Sequence, residues 1–246
     1  MKTIVVSLNN SERRVHFDKN FSDINYEYFN AISPKDNDPR FDQFIARSLY
    51  GRKLRKGEVG CTLSHFEIIN KFSVSNDNSD WVLIMEDDAL PEPGFKKFID
   101  YFHNNADIPS GTPLVLLLGH SKTSKNKLFF QRLTQPLVNT LIIDDFVFGE
   151  NKNISFCGTV CYMINKCAAK ILAECKIPYW MADDWSLFHK LGITVLHPVK
   201  PLIYEDLNYA SSTGNIIFHQ HDFFKRPKLT IKEIIIGRCK FYNNYH

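Results

Sequence analysis

Residues 81–90 read Trp-Val-Leu-Ile-Met-Glu-Asp-Asp-Ala-Leu, an unbroken apolar run that ends in three consecutive carboxylates. Aliphatic and aromatic side chains in such a run suit a strand inside a sheet. Glu86, Asp87 and Asp88 then fall where the strand leaves the sheet, the rim at which α/β folds bind ligands. Adjacent acids repel one another and lose hydration unless a cation shares them. Oxygen-only ligands suit a hard cation such as Mg²⁺ or Mn²⁺, which usually also engages substrate phosphates. Taken alone, the triplet is more simply an acidic turn or helix start, since Asp caps N-termini and Pro91 ends regular pairing.

The segment upstream shifts that balance. Gly57-Glu58-Val59-Gly60-Cys61-Thr62-Leu63-Ser64-His65 opens a helical pattern in which Val59, Leu63, Phe66, Ile69 and Phe72 form one buried stripe. Cys61, Ser64, His65 and Ile68 form the neighbouring ridge. Two glycines at a helix mouth allow close backbone approach and leave N–H groups for an anion. A Gly-x-x-Gly pair is more often a turn, and a Ser-His pair in a helix more often a half-buried polar couple. Arg47, Arg52, Lys53, Arg55 and Lys56 precede the mouth. They read by default as a solvated basic face, or beside a diphosphate as charge compensation.

Length and composition bound the rest. A chain of 246 residues with 44% hydrophobic side chains can bury one substantial core, so one domain is expected. A net charge of +3 is too small to imply nucleic acid. No apolar run is long enough to cross a bilayer, and the start turns polar too soon for a signal peptide, so a cytoplasmic location is expected. The six cysteines, at 61, 157, 161, 167, 175 and 239, lie mostly in apolar segments and suit reduced core positions. Cys157 and Cys161 have no second pair at zinc-site spacing. Neither a dinucleotide fingerprint nor a phosphate loop is present.

Strands are expected at Thr3–Leu8, Leu114–Leu118, Thr140–Ile143, Thr159–Ile164 and Ile193–Leu196, with helices at Lys166–Cys175 and Ala182–Leu191. The stretch from Ile32 to Lys56 reads as a loop-rich excursion, and the segment after Ser121 through Asn126 as a mobile loop. This alternation predicts an α/β fold with a mainly parallel central sheet. The domain is expected over residues 1–221, leaving 222–246 as a basic tail. That tail is equally a terminal helix packed on the domain or an amphipathic helix lying on an anionic membrane.

The order of the motifs resembles glycosyltransferase family 25, whose bacterial members extend lipopolysaccharide oligosaccharides and whose animal relatives galactosylate collagen. The matching residues are Gly57–Cys61 with Leu63-Ser64-His65, Val82–Asp88, and Gly158-Thr159-Val160-Cys161-Tyr162-Met163-Ile164 followed by Ala168, Ala169 and Leu172. Ile4–Asn9 with Arg13 and Arg14 resembles the family's opening strand and following arginine. The resemblance spans most of residues 1–190. It departs where the family carries Pro-Val-Asp and this chain has Met181-Ala182-Asp183-Asp184-Trp185, with Asp184 aligned to the family aspartate. Ala210–Ile216 only loosely resembles the family's serine-rich end.

The resemblance implies a GT-A fold, Rossmann-like and single-domain, and an inverting transfer of a sugar from a UDP-sugar to a lipooligosaccharide or lipopolysaccharide acceptor. UDP-galactose is the implied donor and Mn²⁺ or Mg²⁺ the implied cofactor. Asp88 is the first metal ligand and Glu86 the second, with Asp87 ambiguous and His219 or His221 as completing ligands. Leu8, Asn9, Arg13, Gly57, Glu58, Gly60, Ser64, His65, Glu86 and Asp87 are the expected donor-site residues. An inverting displacement needs one general base, for which Asp184 is first choice and Asp183 second. Either could instead cap the helix at Trp185. Trp180 and Trp185 are sugar platforms or core residues. A peripheral place at the inner face of a bacterial inner membrane would suit such an acceptor. Two other readings of the same residues are a two-metal phosphoester hydrolase and a silent GT-A-like module that binds carbohydrate or a partner.

Overall fold

The computed structural model describes residues 1–76, 79–104, 111–121, 137–151 and 158–207. Its frame is an eight-stranded sheet of β1 (Lys2–Ser7), β2 (Glu27–Asn30), β3 (Trp81–Glu86), β5 (Leu114–Leu117), β7 (Leu137–Ile143), β8 (Phe146–Asn151), β9 (Cys161–Asn165) and β10 (Thr194–Pro198). The spatial order is β2-β1-β3-β9-β5-β10-β8-β7. Six strands share one direction, while β9 and β8 oppose them. Most strands thus run one way, as expected, with β9 wedged antiparallel between β3 and β5 and the β7–β8 hairpin closing one edge.

Side-chain alternation along β3 assigns the two faces. Trp81, Leu83 and Met85 enter a core with Phe17 of α1 (Arg13–Asn20), Phe21 just past its end, and Phe95, Phe98 and Phe102 of α4 (Gly94–Asn104). Val82 and Ile84 enter the opposite core. There they meet Ile68, Ile69 and Phe72 of α3 (Lys56–Ser73), Ala168, Ala169 and Leu172 of α5 (Lys166–Ala173), and Trp185 and Phe188 of α6 (Trp185–Lys190). A period of two on the strand and near 3.6 on the helices produces this three-layer arrangement.

The excursion between Ile32 and Lys56 contains a helix that the sequence reading misses, α2 (Gln43–Tyr50). Asp42 caps it by accepting from Ile45 N–H at 2.9 Å, and Gly51 ends it in the left-handed region at φ 68°. Ala46 of α2 packs with Phe41, Leu54, Val59 and Leu63, so α3 is covered on both sides. Pro91 does not end pairing. It belongs to β4 (Ala89–Pro91), which pairs with β11 (Ile203–Glu205), and β11 pairs in turn with β6 (Gly119–His120). β4 is an edge strand, where a missing N–H is tolerated. No helix among the described residues is long and apolar enough to cross a membrane. The 222–246 tail and the 122–126 loop lie outside the described residues.

Gly60 shows how closely α3 is seated. A Cβ there would lie 2.6 Å from the Ile32 carbonyl oxygen. Gly60→Ala is expected to lower stability by about 1–3 kcal/mol, the cost of overpacking a tight contact. Urea unfolding measures it, and a parent-like midpoint would show that the contact relaxes freely.

Candidate functional site

The three acids at the end of β3 divide between two sets of partners. Glu86 continues the parity of Val82 and Ile84 and turns toward α3. Its Oε1 accepts a short hydrogen bond from the Thr159 hydroxyl and lies 3.4 Å from His65 Nε2 and 3.9 Å from Cys61 Sγ. His65 Nδ1 is 2.9 Å from the Tyr162 hydroxyl. Burial works against a charge on Glu86, but His65, Thr159 and Arg13 offset it and hold the carboxyl below its ordinary range. Burial pushes the Cys61 thiol well up, and the charges of Glu86, Asp183 and Asp88 add to that shift.

Asp87 turns the other way and is held by hydroxyls. Its Oδ2 accepts from Ser7 Oγ at 2.7 Å and Ser11 Oγ at 2.8 Å, while Arg13 Nη1 stands 3.4 Å from Oδ1. The same Nη1 donates to Asp88 Oδ2 at 2.9 Å. The backbone carbonyl of Asp88 accepts from Asp206 N–H at 2.7 Å, which binds the acid turn to the end of β11. Asp88 Oδ1 is buried with no hydrogen-bond partner. Burial, then the charges of Glu86 and Glu205, drive the Asp88 carboxyl well above its ordinary value against the pull of Arg13. Such an oxygen fits a hard cation, with Asp88 as primary ligand and Glu86 or Glu205 beside it.

The mouth of α3 is not an open anion site. Glu58 fills it, accepting from Arg55 N–H at 2.8 Å and pairing with Arg52 at 2.8 Å and Arg55 at 3.0 Å. The helix thus caps itself with its own carboxylate, and two bases of the group read as a solvated face or as diphosphate compensation pair with Glu58. Ser64 is buried, donating to the Gly60 carbonyl at 2.7 Å and accepting from Ile32 N–H at 2.8 Å. Gly57, Glu58, Gly60 and Ser64 therefore seat the helix, while Cys61 and His65 reach Glu86. Leu8 and Asn9 are exposed in the turn after β1, beside the Ser11 and Arg13 that hold the acids. His219 and His221 lie outside the described residues. A shallow cavity lined by Pro34, Asp38, Phe41, Lys53, Leu54 and Val59 includes none of the residues around Glu86.

Asp184 and Asp183 have different surroundings. Asp184 is the N-cap of α6, buried, with Oδ1 accepting from Ser186 Oγ at 2.6 Å and Leu187 N–H at 3.2 Å. Its Oδ2 accepts from Tyr50 Oη at 2.7 Å, tying α6 to α2. Asp183 is half-buried, accepts from Gly158 N–H at 3.1 Å, and extends its field to Cys61 beside Glu86. Trp180 and Trp185 are core residues, so they offer no ring to a sugar. Thr159, Tyr162, Ser7, Ser11 and Glu205 surround the acids without having been singled out. The first two stand inside the Gly158–Ile164 motif, and Ser7 and Ser11 flank the turn after β1. Glu205 has no local signal.

Residues 1–187 match the family described as glycosyltransferase family 25 (LPS biosynthesis protein). A 99-residue stretch is 33% identical to the lipooligosaccharide biosynthesis protein lic2B of Haemophilus influenzae, covering 39% of this chain and 36% of that protein. The match thus spans about a third of that relative. Among solved structures, galactosyltransferase LgtC with donor and acceptor sugar analogues is 12% identical, with a TM-score of 0.34 over 79% of this chain and 73% of that one. The catalytic domain of Drosophila β1,4-galactosyltransferase 7 with xylobiose is 12% identical, with a TM-score of 0.37 over 97% and 79%. Likenesses this faint add nothing to the geometry of the site.

Glu58 gives the site a pH signature. Burial opposes its charge, but Arg52 and Arg55 bring its pKa down from 4.5 to about 2. A carboxyl depressed on folding adds stability above its unfolded pKa and loses it as pH falls through the folded value. Parent stability is therefore expected to fall more steeply than that of Glu58→Gln between about pH 4.5 and 2. Denaturant midpoints at several pH values measure this, and parallel acid limbs would contradict the pairing.

Proposed function

This chain belongs to glycosyltransferase family 25, and we propose that it moves a hexose, with galactose the first candidate, from a UDP-sugar to a hydroxyl of a lipooligosaccharide or lipopolysaccharide acceptor. Asp88 carries the reading. One of its oxygens is held by Arg13 and the other is buried without a partner, at the end of a strand that the family motif includes. A carboxylate in that state binds a cation readily, because neutralisation removes a standing electrostatic cost. Asp88, with Glu86 or Glu205, would hold Mn²⁺ or Mg²⁺, and such an ion when bound supplies Lewis-acid neutralisation of the departing diphosphate.

Asp87 orients the acid turn through Ser7 and Ser11 and leaves the neighbouring carboxylates to face the donor. Asp183 is the preferred base, since its half-buried carboxylate borders the acid site and Asp184 is committed to Tyr50, Ser186 and Leu187. Its carboxylate would take the proton of the attacking acceptor hydroxyl in a single displacement. The arginine-rich α2–α3 loop is assigned to Glu58 and not to the diphosphate. Peripheral contact with an anionic membrane would bring the enzyme to a lipid-linked acceptor.

Incubation with Mn²⁺ or Mg²⁺ and a panel of UDP-sugars is expected to consume one donor selectively, and Asp88→Ala to abolish metal-dependent donor binding. Binding of no nucleotide sugar with any metal defeats the reading. Asp183→Asn should retain donor binding while transfer falls roughly 10²–10⁴-fold, the usual worth of a general base. Asp184→Asn, which still caps α6, should transfer near the parent rate. The opposite ranking returns the base to Asp184.

A further inference from the structure

Two side chains near the acids, Cys61 and His65, take no part in the proposed transfer chemistry. Cys61 and His65 stand four residues apart on α3, so both side chains leave the same face of the helix. Glu86 reaches the same point from β3. One ligand atom from each lies within 4.8 Å of the others, with Nε2 to Oε1 at 3.4 Å and Sγ to Oε1 at 3.9 Å. A tetrahedral zinc ion places nitrogen and oxygen ligands about 3.3 Å apart and sulfur and oxygen about 3.6 Å apart. The observed separations come close to both.

His65 supplies the second, independent observation. The residue is 2% exposed, and its Nε2 is buried with no hydrogen-bond partner, although it faces Glu86 and Cys61. Its Nδ1 lies 2.9 Å from the Tyr162 hydroxyl, the outer bond that orients ligand histidines. We propose that Cys61, His65 and Glu86 form a binding site for a soft divalent cation of the zinc type, separate from the hard-cation position, which then takes Asp88 with Glu205. A donor set of one sulfur, one imidazole nitrogen and one carboxylate oxygen favours zinc over Mg²⁺ or Mn²⁺. Binding replaces the S–H bond of Cys61 with an S–metal bond and releases that proton to solvent. The ion would join α3 to the end of β3, fixing Glu86 against the helix.

The test uses the full chain, stripped of metal with a chelator and titrated with Co²⁺. A thiolate-to-cobalt charge-transfer band is expected to saturate at one equivalent, to disappear on adding Zn²⁺, and to persist in Asp88→Asn. Cys61→Ser should remove the band and His65→Gln should weaken cobalt binding at least tenfold, with circular dichroism confirming that each variant folds. Should either variant fail to fold, X-ray absorption of the zinc-loaded parent decides, with one sulfur and one imidazole in the first shell expected. No band in the parent, a band that survives Cys61→Ser, or a zinc shell without sulfur overturns the proposal. Loss of the band in Asp88→Asn overturns its separateness from the hard-cation position.

Discussion

A single guanidinium group makes the acid turn possible. Arg13 lies against both Asp87 and Asp88, and neither carboxylate has much water to share. Breaking a buried ion pair by removing one partner typically costs about 3–5 kcal/mol, because the charge left behind is uncompensated. The bond also extends outward through other polar groups. Ser7 donates to Asp87 and accepts from Arg14 Nε at 2.9 Å, and Arg14 reaches Asn30 at 2.9 Å. One polar chain therefore links β2, the end of β1, the start of α1 and the end of β3. The negative site is held by the helix that follows the first strand.

Much of this was legible in the sequence where one period governs. Trp81–Met85 announces a covered strand, and the Val59–Phe72 stripe announces α3, because each pattern repeats at the spacing of its own backbone. The division of the acid triplet was half legible: strand alternation assigns Glu86 to the face of Val82 and Ile84. Which groups wait on each face was not, since Thr159 and His65 come from segments 73 and 21 residues away. The self-capped mouth of α3 was readable from Arg55 and Glu58, three residues apart, but the two glycines suggest a bound anion instead. α2 hides behind charges and Pro39, although Asp42 and Gly51 mark its two ends.

The two aspartates show a different limit. Capping and proton abstraction ask for the same residue type, so sequence cannot rank Asp183 against Asp184. Only the tertiary partners distinguish them: Tyr50, 134 residues upstream, donates to Asp184, and the Gly158 N–H donates to Asp183. The tryptophans follow the same logic, because an aromatic ring carries no mark of whether it will face sugar or core.

The reversed strand β9 has a consequence for how the molecule comes into being. Lying antiparallel between β3 and β5, it carries its own beginning to the edge where those strands end, and so sets Thr159 beside Glu86. Loops that bring distant segments together are entropically costly, and topologies rich in such pairings form slowly. The acids are complete early in the chain, yet their environment waits for a strand made some seventy residues later. A nascent or partly opened molecule would carry the charges without the pocket, and the central seam between β3 and β9 marks the passage from one state to the other.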